Sequence, residues 1–136
     1  MANYYSFTRT NYFKTNNVEG LKDLISRCYC GEDKVELFEK AKENETLYAF
    51  GAYDSIEGIE DENGDYDYDA FLARLQELLP DGEAIILTEV GHMKLADVYG
   101  RVDIITNTEV KSESLCDIGA KTARSILGNP DWVGID

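Results

Sequence analysis

Apolar positions along this chain switch between a period of two and a period of three to four, so strands and helices are expected to take turns. Residues 3 to 14 are dense in aromatic and β-branched types and read as a first strand. Its alternation puts Tyr5, Phe7 and Phe13 on one face and Tyr4 and Tyr12 on the other, so one set is expected to line the core. Thr15, Asn16 and Asn17 supply cap candidates for a first helix with the stripe Val18, Leu21, Leu24, Ile25 and Cys28. Two strands, about 33 to 40 and 46 to 53, are joined across the polar turn Lys42-Glu43-Asn44-Glu45 and form a hairpin. A second helix, about 68 to 79, carries Phe71, Leu72, Leu75, Leu78 and Leu79 on one face and stops at Pro80.

Ala84-Ile85-Ile86-Leu87 opens a largely buried fourth strand, Gly91-His92 marks a turn, and residues 97 to 106 read as a fifth strand with apolar Val98, Val102, Ile104 and Ile105. The last helix runs from about 113 to 127, with Ser114 and Asp117 as a capping pair and Gly128 before Asn129-Pro130 as its stop. The order is β-α-β-β-α-β followed by an extra C-terminal strand and helix. That order predicts an α+β fold with a ferredoxin-like antiparallel sheet and helices on one face, in a single domain over residues 1–136.

Charge changes this picture in one place. The chain has 27 acidic and 13 basic residues, and the stretch between Lys42 and Arg74 holds ten carboxylates and no base. Most of them fall in an acidic loop, about 54 to 69, where Asp54, Glu57, Glu60, Asp61, Glu62, Asp65, Asp67 and Asp69 are interleaved with Tyr66 and Tyr68. Carboxylates two apart on an extended segment lie about 6.6 Å apart, near the spacing of phosphates along a strand, and phenol rings beside them can stand in for bases. These ten residues are therefore the candidate partner-binding site, and the partner they fit is a basic, nucleic-acid-binding protein. A net charge of −14 disfavours nucleic acid and anionic membranes as direct partners. The same charge argues against an RNA-stacking role for the aromatic first strand.

Other chemistry finds less support. Three cysteines, an odd number, and an N-terminus without a basic start and apolar run fit a reducing cytoplasm. Cys28-Tyr29-Cys30 lacks a second cysteine pair to complete a zinc set, and Cys28 and Cys116 are expected to point into the core from helices. A calcium loop fails in either register: from Asp61 the glycine falls at the fourth position, and from Asp65 Ala70 takes its place. Asp81 with Glu109 and Lys111 matches a loose magnesium-nuclease pattern, and His92 between Glu89 and Lys94 is a candidate base without a nucleophile. The readings carried forward are a non-enzymatic acidic inhibitor with no cofactor, a metal-dependent enzyme, and an accessory domain whose acidic loop is only solvated.

Arg9-Thr10-Asn11-Tyr12-Phe13-Lys14-Thr15-Asn16, Gly51-Ala52-Tyr53, Leu87-Thr88-Glu89-Val90-Gly91 and Leu127-Gly128-Asn129-Pro130 together resemble a group of uncharacterised small acidic proteins of bacterial phages and plasmids. The resemblance covers nearly the whole chain and implies a setting rather than a reaction. Small acidic proteins on mobile elements are often inhibitors of host defence, anti-CRISPR and anti-restriction proteins among them, and some imitate DNA. This chain departs from the all-helical mimics in its mixed elements and 13 basic residues, which implies a specific binder with one acidic face.

Overall fold

The computed structural model describes residues 5–31, 33–93 and 97–134. Its main sheet has six strands: β1 (Tyr5–Thr10), β3 (Glu36–Lys42), β4 (Glu45–Ala52), β7 (Ile85–Met93), β8 (Asp97–Ile105) and β9 (Val110–Ser114). They lie in the order β3-β4-β1-β7-β8-β9, and every neighbouring pair is antiparallel. A smaller sheet contains β2 (Cys28–Tyr29), β5 (Gly58–Glu60) and β6 (Tyr66–Asp67) in the order β2-β5-β6. Among the described residues there are three helices: α1 (Val18–Ser26), α2 (Tyr68–Glu77) and α3 (Leu115–Leu127). The class is α+β with an antiparallel sheet. A plain ferredoxin-like order does not describe the whole, because β8, β9 and the small sheet add to it and α3 lies on the face opposite α1 and α2.

Capping residues set the helix starts. Asn17 accepts from the Gly20 amide, Asp67 from the Ala70 amide and Ser114 from the Asp117 amide, each satisfying one of the unpaired donors of a first turn. Gly128 adopts the left-handed conformation that ends α3. The hairpin turn at Glu43 and Asn44 forms as its sequence predicts, with Lys42 opposite Glu45.

The core joins α1, α2 and the inward face of the sheet. Phe13, Leu21, Phe50, Phe71, Leu75, Ile85 and Ile105 are fully buried, and Phe50 meets both Phe13 and Phe71 edge to face, with ring centroids 6.2 and 6.0 Å apart. Each such side chain contributes roughly 1.5–3 kcal/mol by burial, so this cluster carries most of the stability. Gly20 in α1 would bring an added Cβ to 3.0 Å from the Leu78 side chain, so α1 and α2 approach closely at that point.

The aromatic first strand departs from its expected pattern. Ser6, Thr8 and Thr10 face inward and are buried, while Tyr5 and Phe7 face out. The strand ends at Thr10, so Phe13 enters the core from a bridge to Tyr48 rather than from the alternation of β1. Tyr4 lies outside the described residues. The Asn11 side chain explains the ending: its amide donates to the Ala84 carbonyl and its carbonyl accepts from the Ile86 amide, tying the strand end to the start of β7. The buried hydroxyls have partners, Ser6 with Ser55, Thr8 with the Asp54 carbonyl and Thr10 with the Phe50 amide.

Two further expectations are corrected. No turn forms at Gly91-His92, since β7 runs on to Met93 with Gly91 opposite both Ser6 and Tyr99. Of the cysteines, Cys30 is the buried one, Cys28 is half-buried on β2, and Cys116 is exposed on α3.

Gly58 provides a test of the small sheet. Its φ is 120°, and an added Cβ would stand 2.4 Å from the Asp67 backbone carbonyl. Gly58→Ala is expected to lower stability by about 2 kcal/mol and to remove amide protection across Gly58–Glu60 and Tyr66–Asp67 first, read by hydrogen exchange.

Candidate functional site

The acidic segment is not an open loop. Gly58–Glu60 and Tyr66–Asp67 pair as a hairpin, with Ile59 opposite Asp67 and Glu60 opposite Tyr66, and the chain passes directly into α2. Its turn is built by Asp61, whose carboxylate accepts from the Asn63 and Asp65 amides at 2.8 and 3.0 Å. Asp67 caps α2. Asp54, half-buried, accepts from its neighbour's amide at 2.7 Å and from the Ser6 hydroxyl. Three of the ten predicted site residues thus hold the backbone in shape. Glu57, Glu60, Glu62, Asp65 and Asp69 stand exposed. The carboxylates are spread over a hairpin, a turn and a helix start, so they do not form the single extended row that phosphate spacing would need.

Tyr66 and Tyr68 have different places. Tyr66 is 44% exposed and stacks flat on Tyr29, with centroids 4.3 Å apart, which gives the hairpin an aromatic wall shared with β2. Tyr68 turns inward from the first residue of α2. Between the hairpin and strands β7 and β8 lies an open cleft of about 540 Å³, bordered by Glu57, Asp65, Tyr66 and Tyr68 on one side and by Glu89 and Arg101 on the other.

A buried polar cluster forms the cleft's foundation. Asp103 on β8 has no exposed surface and accepts from the Tyr68 hydroxyl, the Ser112 hydroxyl and the Arg101 guanidinium, the last at 2.9 Å. Arg101 also sits 5.0 Å over the Tyr68 ring. Burial pushes the Asp103 carboxyl up, but the hydrogen bonds from Ser112, Tyr68 and Arg101 outweigh it and hold the group below the usual carboxylate range. Burial and then the bond to Asp103 raise the Tyr68 phenol above its ordinary value, so at neutral pH it stays a donor. Asp103 is therefore a fixed charge that positions Arg101 and Tyr68.

Sequence reasoning missed Glu89, Arg101, Asp103 and Ser112. The signal was present in Arg101-Val102-Asp103: an arginine and an aspartate two apart share one strand face, and Ile105 puts that face inward.

The remaining candidates do not converge. The Asp81 carboxylate accepts from the Asn107 amide at 2.6 Å, and Lys111 lies opposite Ile104 on the outward face of the sheet. Among the described residues no three His, Cys, Asp or Glu side chains gather to hold a metal ion. His92 sits exposed at the end of β7 with its ring 5.6 Å from that of Tyr5, and Lys94 lies outside the described residues. Burial, with Cys30 beside it, pushes the Cys28 thiol up to about 12, so it is protonated at neutral pH and a weak nucleophile. Burial followed by Asp54 raises Cys30 as well.

No protein-family model matches this chain, and neither a curated protein nor a solved structure matches it. Among the described residues no helix is long and apolar enough to cross a membrane.

The Asp103 cluster makes a pH prediction. Because the folded-state pKa is depressed, its contribution is complete above the unfolded value of about 4 and is lost as pH falls through the lower folded value. Urea denaturation should therefore show wild type losing more stability below about pH 4 than Asp103→Asn does. At pH 7 Asp103→Ala is expected to cost about 3 kcal/mol, since it leaves the Tyr68 and Ser112 hydroxyls without their acceptor, and Tyr68→Phe about 2 kcal/mol, since it removes one donor to a buried charge.

Proposed function

We propose that this chain is a non-enzymatic inhibitor whose acidic hairpin and adjoining cleft occupy the basic, nucleic-acid-binding surface of a partner protein. The observation that carries this reading is the meeting, at one open cleft, of exposed Glu57 and Asp65 with the rings of Tyr66 and Tyr68. Carboxylates beside aromatic faces suit an arginine side chain, which donates bidentate hydrogen bonds to the former and stacks on the latter. Arg101 already rests on Tyr68 in this way. The contact is a specific pocket backed by an acidic field rather than an imitation of a whole nucleic acid strand.

The setting follows from the resemblance to small acidic proteins of mobile elements: an anti-defence role, anti-CRISPR in kind, in the cytoplasm. The three unbridged cysteines support a reducing compartment. We also read β1, α1, β3, β4, α2 and β7 as a ferredoxin-like unit extended by β8, β9 and α3. The antiparallel order β3-β4-β1-β7, with α1 falling between β1 and β3 and α2 between β4 and β7, supports it.

The test neutralises the five exposed carboxylates, Glu57, Glu60, Glu62, Asp65 and Asp69, to Gln or Asn and leaves Asp54, Asp61 and Asp67 in place. Immobilised wild-type chain should retain a basic nucleic-acid-binding protein from bacterial lysate and release it to duplex DNA and to added salt. The variant should bind that protein at least about tenfold more weakly with an unchanged melting temperature. Equal retention by the variant, or indifference to competing DNA, rules the reading out.

A further inference from the structure

The outward face of the six-stranded sheet is more apolar than the strands behind it require. Phe7 lies opposite Val90, and Val90 opposite Gly100, so a row of apolar side chains crosses β1 and β7 and meets bare backbone on β8. Phe7 is 53% exposed, Tyr53 70% and Val98 65%, whereas the positions of β1 that point inward are hydroxyls. Helix α3 covers only the far side of this face. Leu115 sits over Gly100, where an added Cβ would stand 2.4 Å from its Cδ1, and no residue of α3 is buried. Over β1, β4 and β3 no element among the described residues covers the face.

Its charge also differs from the rest of the chain. Arg9, Lys40, Lys42 and Lys111 occupy outward strand positions against Glu36, Glu45 and Glu113, near balance in a chain of net −14. Arg9 and Glu36 both pair with Gly51, one from each side, so the three form a single cross-strand row. A side chain at Gly51 would meet the Thr8 carbonyl at 2.8 Å, and the glycine floors a groove of about 190 Å³ between Phe7 and Tyr53 on one side and Phe38 on the other. The Arg9 guanidinium is held 4.5 Å over the Phe38 ring.

We propose that this face is a self-association surface, on which a second copy of the chain packs sheet to sheet about a two-fold axis lying along β4 over Gly51. That operation lays β1 over the partner's β3. Arg9 then meets the partner's Glu36, and the partner's Arg9 meets Glu36, so both ion pairs of the row are satisfied at once, as an isologous interface requires. A basic protein is drawn to the acidic hairpin instead, and nucleic acid is repelled by the net charge. Two copies repel each other at long range for the same reason, while their contact combines apolar side chains with only two short-range ion pairs, so the net repulsion is the larger effect for salt to screen. Added salt therefore strengthens this association, the reverse of its effect on a basic partner.

Sedimentation velocity of the full chain, from micromolar to several hundred micromolar and at low and about 0.5 M salt, tests the proposal. A dimer that tightens with salt is expected. Arg9→Glu should raise the dimer dissociation constant at least tenfold, and Arg9→Glu with Glu36→Arg should restore it, with circular dichroism unchanged in both. A monomer throughout, a dimer indifferent to Arg9→Glu, or a double variant that stays monomeric although folded overturns the proposal. Binding of a single-stranded oligonucleotide by a monomeric chain, lost in Tyr53→Ala, would assign the face to nucleic acid instead.

Discussion

Asp103 is a charge with no surface of its own, and much of this molecule is arranged to keep it satisfied. Its three donors come from α2, β8 and β9, so one carboxylate connects the helix that follows the acidic hairpin to the two strands at the sheet's far side. A buried carboxylate is costly unless its oxygens find donors, and here Ser112 serves one oxygen while Tyr68 and Arg101 share the other. The cluster thereby fixes where α2 begins. Since Asp67 caps that helix and ends β6, it also fixes the hairpin and the wall of the cleft.

This arrangement explains why the candidate site can combine order with a high density of like charge. Five carboxylates on a short segment repel one another and favour expansion. The segment is held against that by paired backbone, by the Asp61 turn, by the Tyr29–Tyr66 stack and by the anchor at Tyr68. Some acidic residues of the segment thus make its shape and others present its charge. Composition alone cannot distinguish the two roles.

What was legible in the sequence follows from the same physics. The helices and their caps were readable because Asn17, Ser114 and Gly128 act locally, and the β3–β4 hairpin because its turn is polar and its period regular. The brief β2, β5 and β6 pairings were not, since strands of two or three residues leave no period to detect. The grouping of Phe13 with Tyr5 and Phe7 failed because β1 ends at Thr10 and Phe13 turns into the core. In β1 the aromatic residues Tyr5 and Phe7 point outward and the hydroxyls inward, where hydrogen bonds with Ser55, the Asp54 carbonyl and the Phe50 amide replace apolar contacts, and β8 turns Arg101 and Asp103 inward beside Ile105. The charged cleft wall went unseen because Arg101 and Asp103 meet their partners Tyr68 and Ser112 only when a helix and a neighbouring strand are folded against β8.

The central position of β1 has a consequence for how the chain is made. Thr10 pairs with Leu87, 77 residues further on (87 − 10), and the strand's other neighbour, β4, begins only at Glu45. At roughly 5–20 residues per second, the ribosome releases β1 about 4–15 s before its β7 partner exists. Until β4 emerges, a strand with aromatic rings on one side and hydroxyls on the other has both edges open, and only when β7 arrives do its backbone groups gain their second set of bonds. β1 is thus made well before the strand that locks it in place, which makes the nascent chain, rather than the finished protein, the form most exposed to mispairing.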